Sequence, residues 1–142
     1  MADKKHVLVT GLSGLVGTAL RSDFEDRYEL SSLSRYGTDG MDDSHNFKGN
    51  IAELDTIIPA FEGQHTVVHL AADAGNEAPW DSVLPNNIVG TYNVFEAVRA
   101  AGVKRVVFAS SNHATGMYEC DHPYSAVVAG RYEGLSPGAY PM

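Results

Sequence analysis

The run His6-Val7-Leu8-Val9-Thr10 passes without a linker into Gly11-Leu12-Ser13-Gly14-Leu15-Val16-Gly17, where glycines recur every third residue. A short apolar run of this kind predicts a strand, and the glycines predict a sharp turn into a helix. Each glycine has its own physical task. Gly11 permits the tight turn, Gly14 clears the space where phosphate oxygens approach, and Gly17 lets the helix pack closely on the strand. The N–H groups of the first helical turn, aided by the helix dipole, then face an anion. The pattern points to a dinucleotide held by its diphosphate. A glycine-rich turn that binds nothing is the bland alternative.

The rest of the chain repeats this strand-and-helix alternation. A helix is predicted from Gly14 towards Phe24, with Leu15, Ala19, Leu20 and Phe24 as its apolar stripe. A second strand follows over Tyr28 to Ser34 and a short third strand over Asn46 to Ile51. Leu54, Ile57, Ile58 and Phe61 have helical spacing, shortened or kinked by Pro59. Thr66 to Leu70 reads as a fourth strand buried on both faces. An irregular segment around Pro79 and Trp80 leads to a helix over about Asn86 to Ala101. Its expected inner face is Ile88, Tyr92, Phe95, Val98 and Ala101, and Gly102 is a natural stop. Lys104 to Ala109 completes a fifth strand. Such alternation implies an α/β, Rossmann-type, doubly wound parallel sheet of five strands in the order 3-2-1-4-5. Ligands of these sheets sit beyond the carboxyl ends of the strands. The segments after Thr10, Ser34, Leu70 and Ala109 all fall there, which predicts one site.

Gross composition narrows the class. The 142 residues suffice for one domain, 1–142, with an irregular tail over 120–142. Ten Lys and Arg against eighteen Asp and Glu leave a charge of -8, which argues against a nucleic-acid surface. No apolar run reaches the ~18–20 residues of a membrane span. Met1 to Lys5 lead straight into the first strand, so no signal peptide is expected. Cys120 is the only cysteine, which fits a reducing cytoplasmic compartment.

The second strand ends in Ser34-Arg35-Tyr36, with no carboxylate before Asp39. A carboxylate there would accept the ribose hydroxyls of NAD, whereas an arginine suits the 2′-phosphate of NADP. The sequence favours NADP slightly, with NAD open and a solvated arginine as the bland reading of Arg35. His69-Leu70-Ala71-Ala72 closes the fourth strand in small residues suited to lie against a flat ribose and nicotinamide, or simply to pack tightly. His69 reads as a packed strand residue. It shares a face with His65, but no third ligand accompanies them, so no metal site is expected. Beyond the fifth strand come Ser110-Ser111-Asn112-His113, whose hydroxyls, amide and imidazole can bond several sugar hydroxyls. A serine-capped polar loop is the alternative. No nucleophile elbow surrounds Ser110 or Ser111.

These residues resemble the extended short-chain dehydrogenase/reductase (NAD-dependent epimerase/dehydratase) superfamily. The resemblance rests on Thr10 to Gly17, His69-Leu70-Ala71-Ala72, Asn87-Ile88-Val89-Gly90-Thr91 and the strand reaching Ser111. Within the superfamily, Phe108 to Glu119 is most similar to the uronate dehydrogenases and the archaeal glucose-6-phosphate dehydrogenase-like sugar dehydrogenases. Glu77 to Leu84 is similar to the sugar-phosphate branch. The resemblance runs to about Glu119. It implies a diphosphate held by Gly11, Gly14 and Gly17, with Leu12, Ser13, Leu15 and Val16 giving loop contacts. Leu70, Ala71 and Ala72 would line the adenosine ribose and the approach to the nicotinamide, and Asn87 would support the site. Ser111 would be the catalytic serine on the reacting hydroxyl, with Asn112 and His113 orienting the sugar. The implied activity is hydride transfer from the C1 hydroxyl of an aldose, sugar phosphate or uronate to NAD(P). Ala74 stands where uronate dehydrogenases place a substrate-contacting serine.

One family feature is missing. The general base of the superfamily is a tyrosine followed four positions later by lysine. Tyr28, Tyr36, Tyr92, Tyr118, Tyr124 and Tyr132 are followed at that distance by Ser32, Gly40, Glu96, His122, Val128 and Ser136, and Tyr140 lies too near the end. The chain therefore reads as the front portion of a longer enzyme, truncated before that helix. By itself it is expected to bind cofactor weakly, turn over little, and form homo-oligomers through apolar surface the helix would cover. The rivals are a nucleotide-sugar epimerase or dehydratase, against which Asn112-His113 argue, and a non-catalytic NAD(P)-binding module.

Overall fold

The computed structural model describes residues 4–111 and the single positions 125 and 130. The chain divides into two compact units, 1–109 and 110–142. The first unit carries five parallel strands: β1 (His6–Thr10), β2 (Glu29–Ser34), β3 (Asn46–Lys48), β4 (Thr66–His69) and β5 (Arg105–Phe108). Their order is β3-β2-β1-β4-β5, the doubly wound Rossmann-type order that the strand and helix alternation implies. Register is fixed across the centre, with Val7 opposite Leu30, Val9 opposite Val68 and His69 opposite Phe108.

Strand periodicity splits the core in two. On one face Leu8, Leu33 and Val67 pack with Ile57, Phe61, Val94 and Ala97. These last come from α2 (Leu54–Ile57), its 3₁₀ continuation Ile58–Phe61 and α4 (Gly90–Ala101). On the other face Val7, Val9, Leu30 and Val68 pack with Leu12, and with Leu20 and Phe24 of α1 (Leu15–Phe24). Residues i and i+1 of a strand point to opposite faces, so each central strand feeds both clusters. Pro59 ends α2 after one turn, as its missing N–H requires.

Two helical faces differ from the sequence expectation. In α1 the sheet-facing positions are Gly17, Leu20 and Phe24, whereas Leu15 is 92% exposed and Ala19 is exposed. Leu15 begins the helix beyond the sheet edge, and Gly17 is the residue that touches the turn. The helical run after β4 begins earlier, at α3 (Trp80–Val83), and reaches α4 through a π-helical turn, Leu84–Val89. That widened turn accommodates Pro85, which cannot donate an intrahelical bond. It also shifts the phase of the helix. Gly90, Asn93, Val94, Ala97 and Val98 face the sheet, while Ile88, Tyr92, Phe95 and Ala101 are exposed. Both stripes have helical spacing, and close approach to Ile51 selects the smaller one. The helix stops at Gly102 as expected.

Candidate functional site

A cleft of about 510 Å³ opens at the carboxyl edge of the sheet. Its floor is the β1–α1 turn. Gly11 sits at φ +77, and a Cβ there would lie 2.9 Å from the Ala71 amide nitrogen. Only glycine permits both the turn and the approach. At Gly17 a Cβ would come within 2.5 Å of the Gly11 and Leu12 carbonyl oxygens, so the helix start presses directly on the turn. Gly14 caps α1 without a side-chain hydrogen bond. The first-turn N–H groups are thus donors for an anion.

The end of β2 forms one wall. Ser34, Arg35, Tyr36 and Gly37 line the cleft. The Ser34 hydroxyl is buried with no hydrogen-bond partner among the described residues. The Arg35 guanidinium lies 5.7 Å from the centre of the Tyr36 ring. The loop behind them is tied down from three sides. Asn46 Nδ2 donates to the Thr38 carbonyl at 3.0 Å while its Oδ1 accepts from the Thr38 N–H at 2.8 Å. The Thr38 and Ser32 hydroxyls bond each other, and Arg21 of α1 donates to the carbonyls of Asp39 and Gly40.

The opposite wall is the turn after β4, with Leu70, Ala71, Ala72, Asp73 and Ala74 facing the cleft. His69 lies beneath it, 1% exposed and stacked on Phe108. Burial pushes its pKa down to about 4. Its Nδ1 is 2.7 Å from the Thr10 hydroxyl and its Nε2 is 3.2 Å from the Thr91 hydroxyl. The Asp73 carboxylate accepts from the Ser82 hydroxyl and the Gly75 N–H. The Ser82 bond, then the Gly75 bond, hold its pKa below the ordinary value, opposed by partial desolvation and aided by the Arg35 charge. Asn87, in the π-helical turn, exchanges two hydrogen bonds with the Asp73 backbone, at 2.8 and 2.9 Å.

Of the residues singled out in the sequence, Gly11, Ser13, Gly14, Ser34, Arg35, Leu70, Ala71 and Ala72 converge on this cleft. Leu12, 1% exposed, points into the core, Gly17 is buried behind the turn, and Leu15 and Val16 face outward. None of these four lines the cleft, and Asn87 acts one step behind it. Ser110 and Ser111 are exposed and follow β5 directly in the chain, as part of the second unit. Asn112 and His113 lie outside the described residues, as does nearly all of 120–142. Sequence reasoning missed Gly49-Asn50-Ile51, Asp73, Ser82 and Asn86, which also line the cleft. The first three were read as part of the third strand, which ends at Lys48 rather than Ile51 and so leaves them at the strand end. Ser82 and Asn86 carried no signal before the helical run was known.

A hydrolase-like arrangement lies out of reach of substrate. Glu29, His45 and Ser31 form a carboxylate–imidazole–hydroxyl string, with His45 3.3 Å from Glu29 and 3.2 Å from Ser31. Ser31 is 1% exposed, so no substrate can reach it as a nucleophile. Among the described residues no three His, Cys, Asp or Glu side chains gather as metal ligands, and no helix is long and apolar enough to cross a membrane.

The residues present fit a dinucleotide. A Cβ at Gly11 would press on the Ala71 backbone, the α1 N-terminus opens at Gly14 without a side-chain cap, and the wall at the end of β2 carries the buried, unbonded Ser34 hydroxyl and the Arg35 charge.

Comparison with known proteins agrees. The NAD dependent epimerase/dehydratase family model matches residues 7–132. An NAD-dependent glucose-6-phosphate dehydrogenase of Haloferax volcanii is 41% identical over 119 residues, covering 80% of this chain and 45% of that protein. A uronate dehydrogenase of Agrobacterium fabrum is 34% identical over 133 residues, covering 92% and 50%. The structure of a mutant uronate dehydrogenase from Agrobacterium tumefaciens complexed with NAD superimposes with a TM-score of 0.69 at 33% identity, over 77% of this chain and 42% of that one. The chain thus spans half or less of these relatives.

Proposed function

The chain belongs to the NAD dependent epimerase/dehydratase family, and on that premise we propose that it is the nucleotide-binding portion of an NAD(P)-dependent sugar oxidoreductase. The observation that carries this reading is the cleft in which the Gly11 turn meets Ala71 and the Ser34–Gly37 wall. A nicotinamide dinucleotide bound there would supply the hydride-accepting ring. The chain's own residues do the rest. Helical N–H groups and the glycine turn bind the diphosphate, and Leu70 to Ala72 shape the ribose wall. Ser111 is assigned to hydrogen-bond the C1 hydroxyl of an aldose, sugar phosphate or uronate, with Asn112 and His113 orienting the sugar. The names of the relatives, which include an L-arabinose 1-dehydrogenase (NAD(P)(+)) of Haloferax volcanii, support sugar as the substrate class. The lone Cys120 supports a cytoplasmic compartment.

NADP is preferred in this reading because Ser34 is neutral and Arg35 is the nearest charge at the end of β2. Titration of the chain with NADH and NADPH, followed by nicotinamide fluorescence, tests both levels. Binding of either supports the function, and binding of neither overturns it. NADPH is expected to bind about tenfold tighter, the worth of one charge-assisted bond to phosphate. Arg35→Ser is expected to abolish that difference. Equal affinities for both cofactors in the unaltered chain would refute the NADP preference alone.

A second reading has its own observation. No Tyr-x-x-x-Lys occurs in the 142 residues, which favours cofactor binding without turnover by this chain alone. Screening aldoses, uronates and sugar phosphates for reduction of bound NADP separates the two. Sugar oxidation at enzyme-like rates would eliminate the second reading.

A further inference from the structure

Thr10 ends β1, and its hydroxyl meets three groups. Its oxygen is 3.2 Å from the Ala71 N–H and 3.2 Å from the Leu70 N–H, which also bonds the Thr10 carbonyl at 3.1 Å. A hydroxyl has two acceptor lone pairs and one proton. The Ala71 N–H occupies one lone pair and the Leu70 N–H is shared between the hydroxyl and the Thr10 carbonyl, an arrangement that favours donation of the hydroxyl proton to His69 Nδ1 at 2.7 Å. A neutral His69 with its proton on Nε2 completes the string, its Nε2 lying 3.2 Å from the Thr91 hydroxyl on α4. The string spans β1, β4 and the helix covering them. It ends on the amide nitrogen that abuts Gly11, where a Cβ would be 2.9 Å away.

We propose that His69 is a positioning residue for the dinucleotide, its neutral ring bridging Thr10 and Thr91 so that the 70–72 turn is held against the glycine turn. The inference rests on the dinucleotide reading above and deepens it. His69 touches no ligand. It sets the cleft width by fixing the hydroxyl that anchors Ala71. Burial of the ring, which lowers its pKa to about 4, keeps the string intact at neutral pH. The ring's stacking partner, Phe108, is apolar and adds no competing charge.

Three substitutions and a spectrum test this. His69→Phe preserves ring packing but leaves the Thr10 proton unpartnered. His69→Asn returns an acceptor near the position of Nδ1. Thr91→Val removes the far end of the string from a half-buried site. NAD(P)H affinity is expected to fall about tenfold in His69→Phe, a change on the scale of one buried hydrogen bond. His69→Asn is expected to restore most of it. Thr91→Val, the variant least exposed to misfolding, is expected to weaken binding while melting like the unaltered chain. Nitrogen-15 spectra of the unaltered chain are expected to show the Nε2–H tautomer without titration between pH 5 and 8. An Nδ1–H tautomer, or folded His69→Phe and Thr91→Val chains binding as tightly as the parent, would overturn the proposal. Failure of the unaltered chain to bind either cofactor would instead overturn the dinucleotide reading beneath it.

Discussion

His69 couples the chemistry of a single side chain to the stability of the whole. Its folded pKa is pushed down to about 4 from an unfolded value of 6.5. The unfolded chain therefore takes up a proton in this range and the folded one does not. The stability that neutral His69 contributes is full above about pH 6.5 and is lost as pH falls towards 4. Each pH unit in that window costs about 1.4 kcal/mol, so urea unfolding is expected to show a loss of about 2 kcal/mol between pH 7 and pH 5. His69→Asn should lack this slope, and an equal slope in that variant would assign it elsewhere. Asp73 acts in the same direction at lower pH, because its bonded carboxylate must be protonated before the turn can loosen. The sequence marked His69 as a packed strand residue, and so it is. Its hydrogen-bonding role was illegible, because Thr10 and Thr91 stand 59 and 22 residues away from it.

Among the elements, strands were more legible than helices. Strand composition alone set β1, β4 and β5 to within a residue or two, since β1 and β4 are buried strands that leave little choice of residue type and β5 keeps the same apolar run at the sheet edge. The helices had two stripes of similar period, and the apolar one at Ile88, Tyr92 and Phe95 was the more conspicuous. Tertiary contact chose the other, because only Gly90, Val94 and Ala97 are small enough to let α4 lie against Ile51 and the sheet. The π-helical turn was equally hidden, though Pro85 marks it in retrospect. That turn has a purpose at the cleft, for it carries Asn87 to the backbone of Asp73. Asn87→Ala is expected to lower stability by about 1–2 kcal/mol, the cost of two partly buried hydrogen bonds, and to weaken NAD(P)H binding. Urea midpoints and cofactor titration check both. Unchanged values would reduce Asn87 to a surface residue.

At the scale of the molecule, one group of exposed apolar side chains lies on the π-helical turn, α4 and β5. Ile88 is 55% exposed, Tyr92 64%, Val107 49% and Phe108 47%, with Phe95 set edge-on against Phe108. Exposed apolar side chains of this size favour association in water, which supports the homo-oligomer expected from the sequence. Sedimentation should detect species heavier than the monomer, and Ile88→Glu with Tyr92→Glu should return them to monomer. A clean monomer of the unaltered chain would remove the proposal. The alternation of apolar runs with glycine and polar breaks by itself determined a parallel sheet, its strand order and the edge on which a ligand could lie, because period and right-handed connection leave few other topologies. Only the folded structure decided which helix face turns inward and that Asn87 stands behind the cleft. It alone joined Thr10, His69 and Thr91 into one string, for these depend on the distance between distant segments, and no local pattern carries that distance.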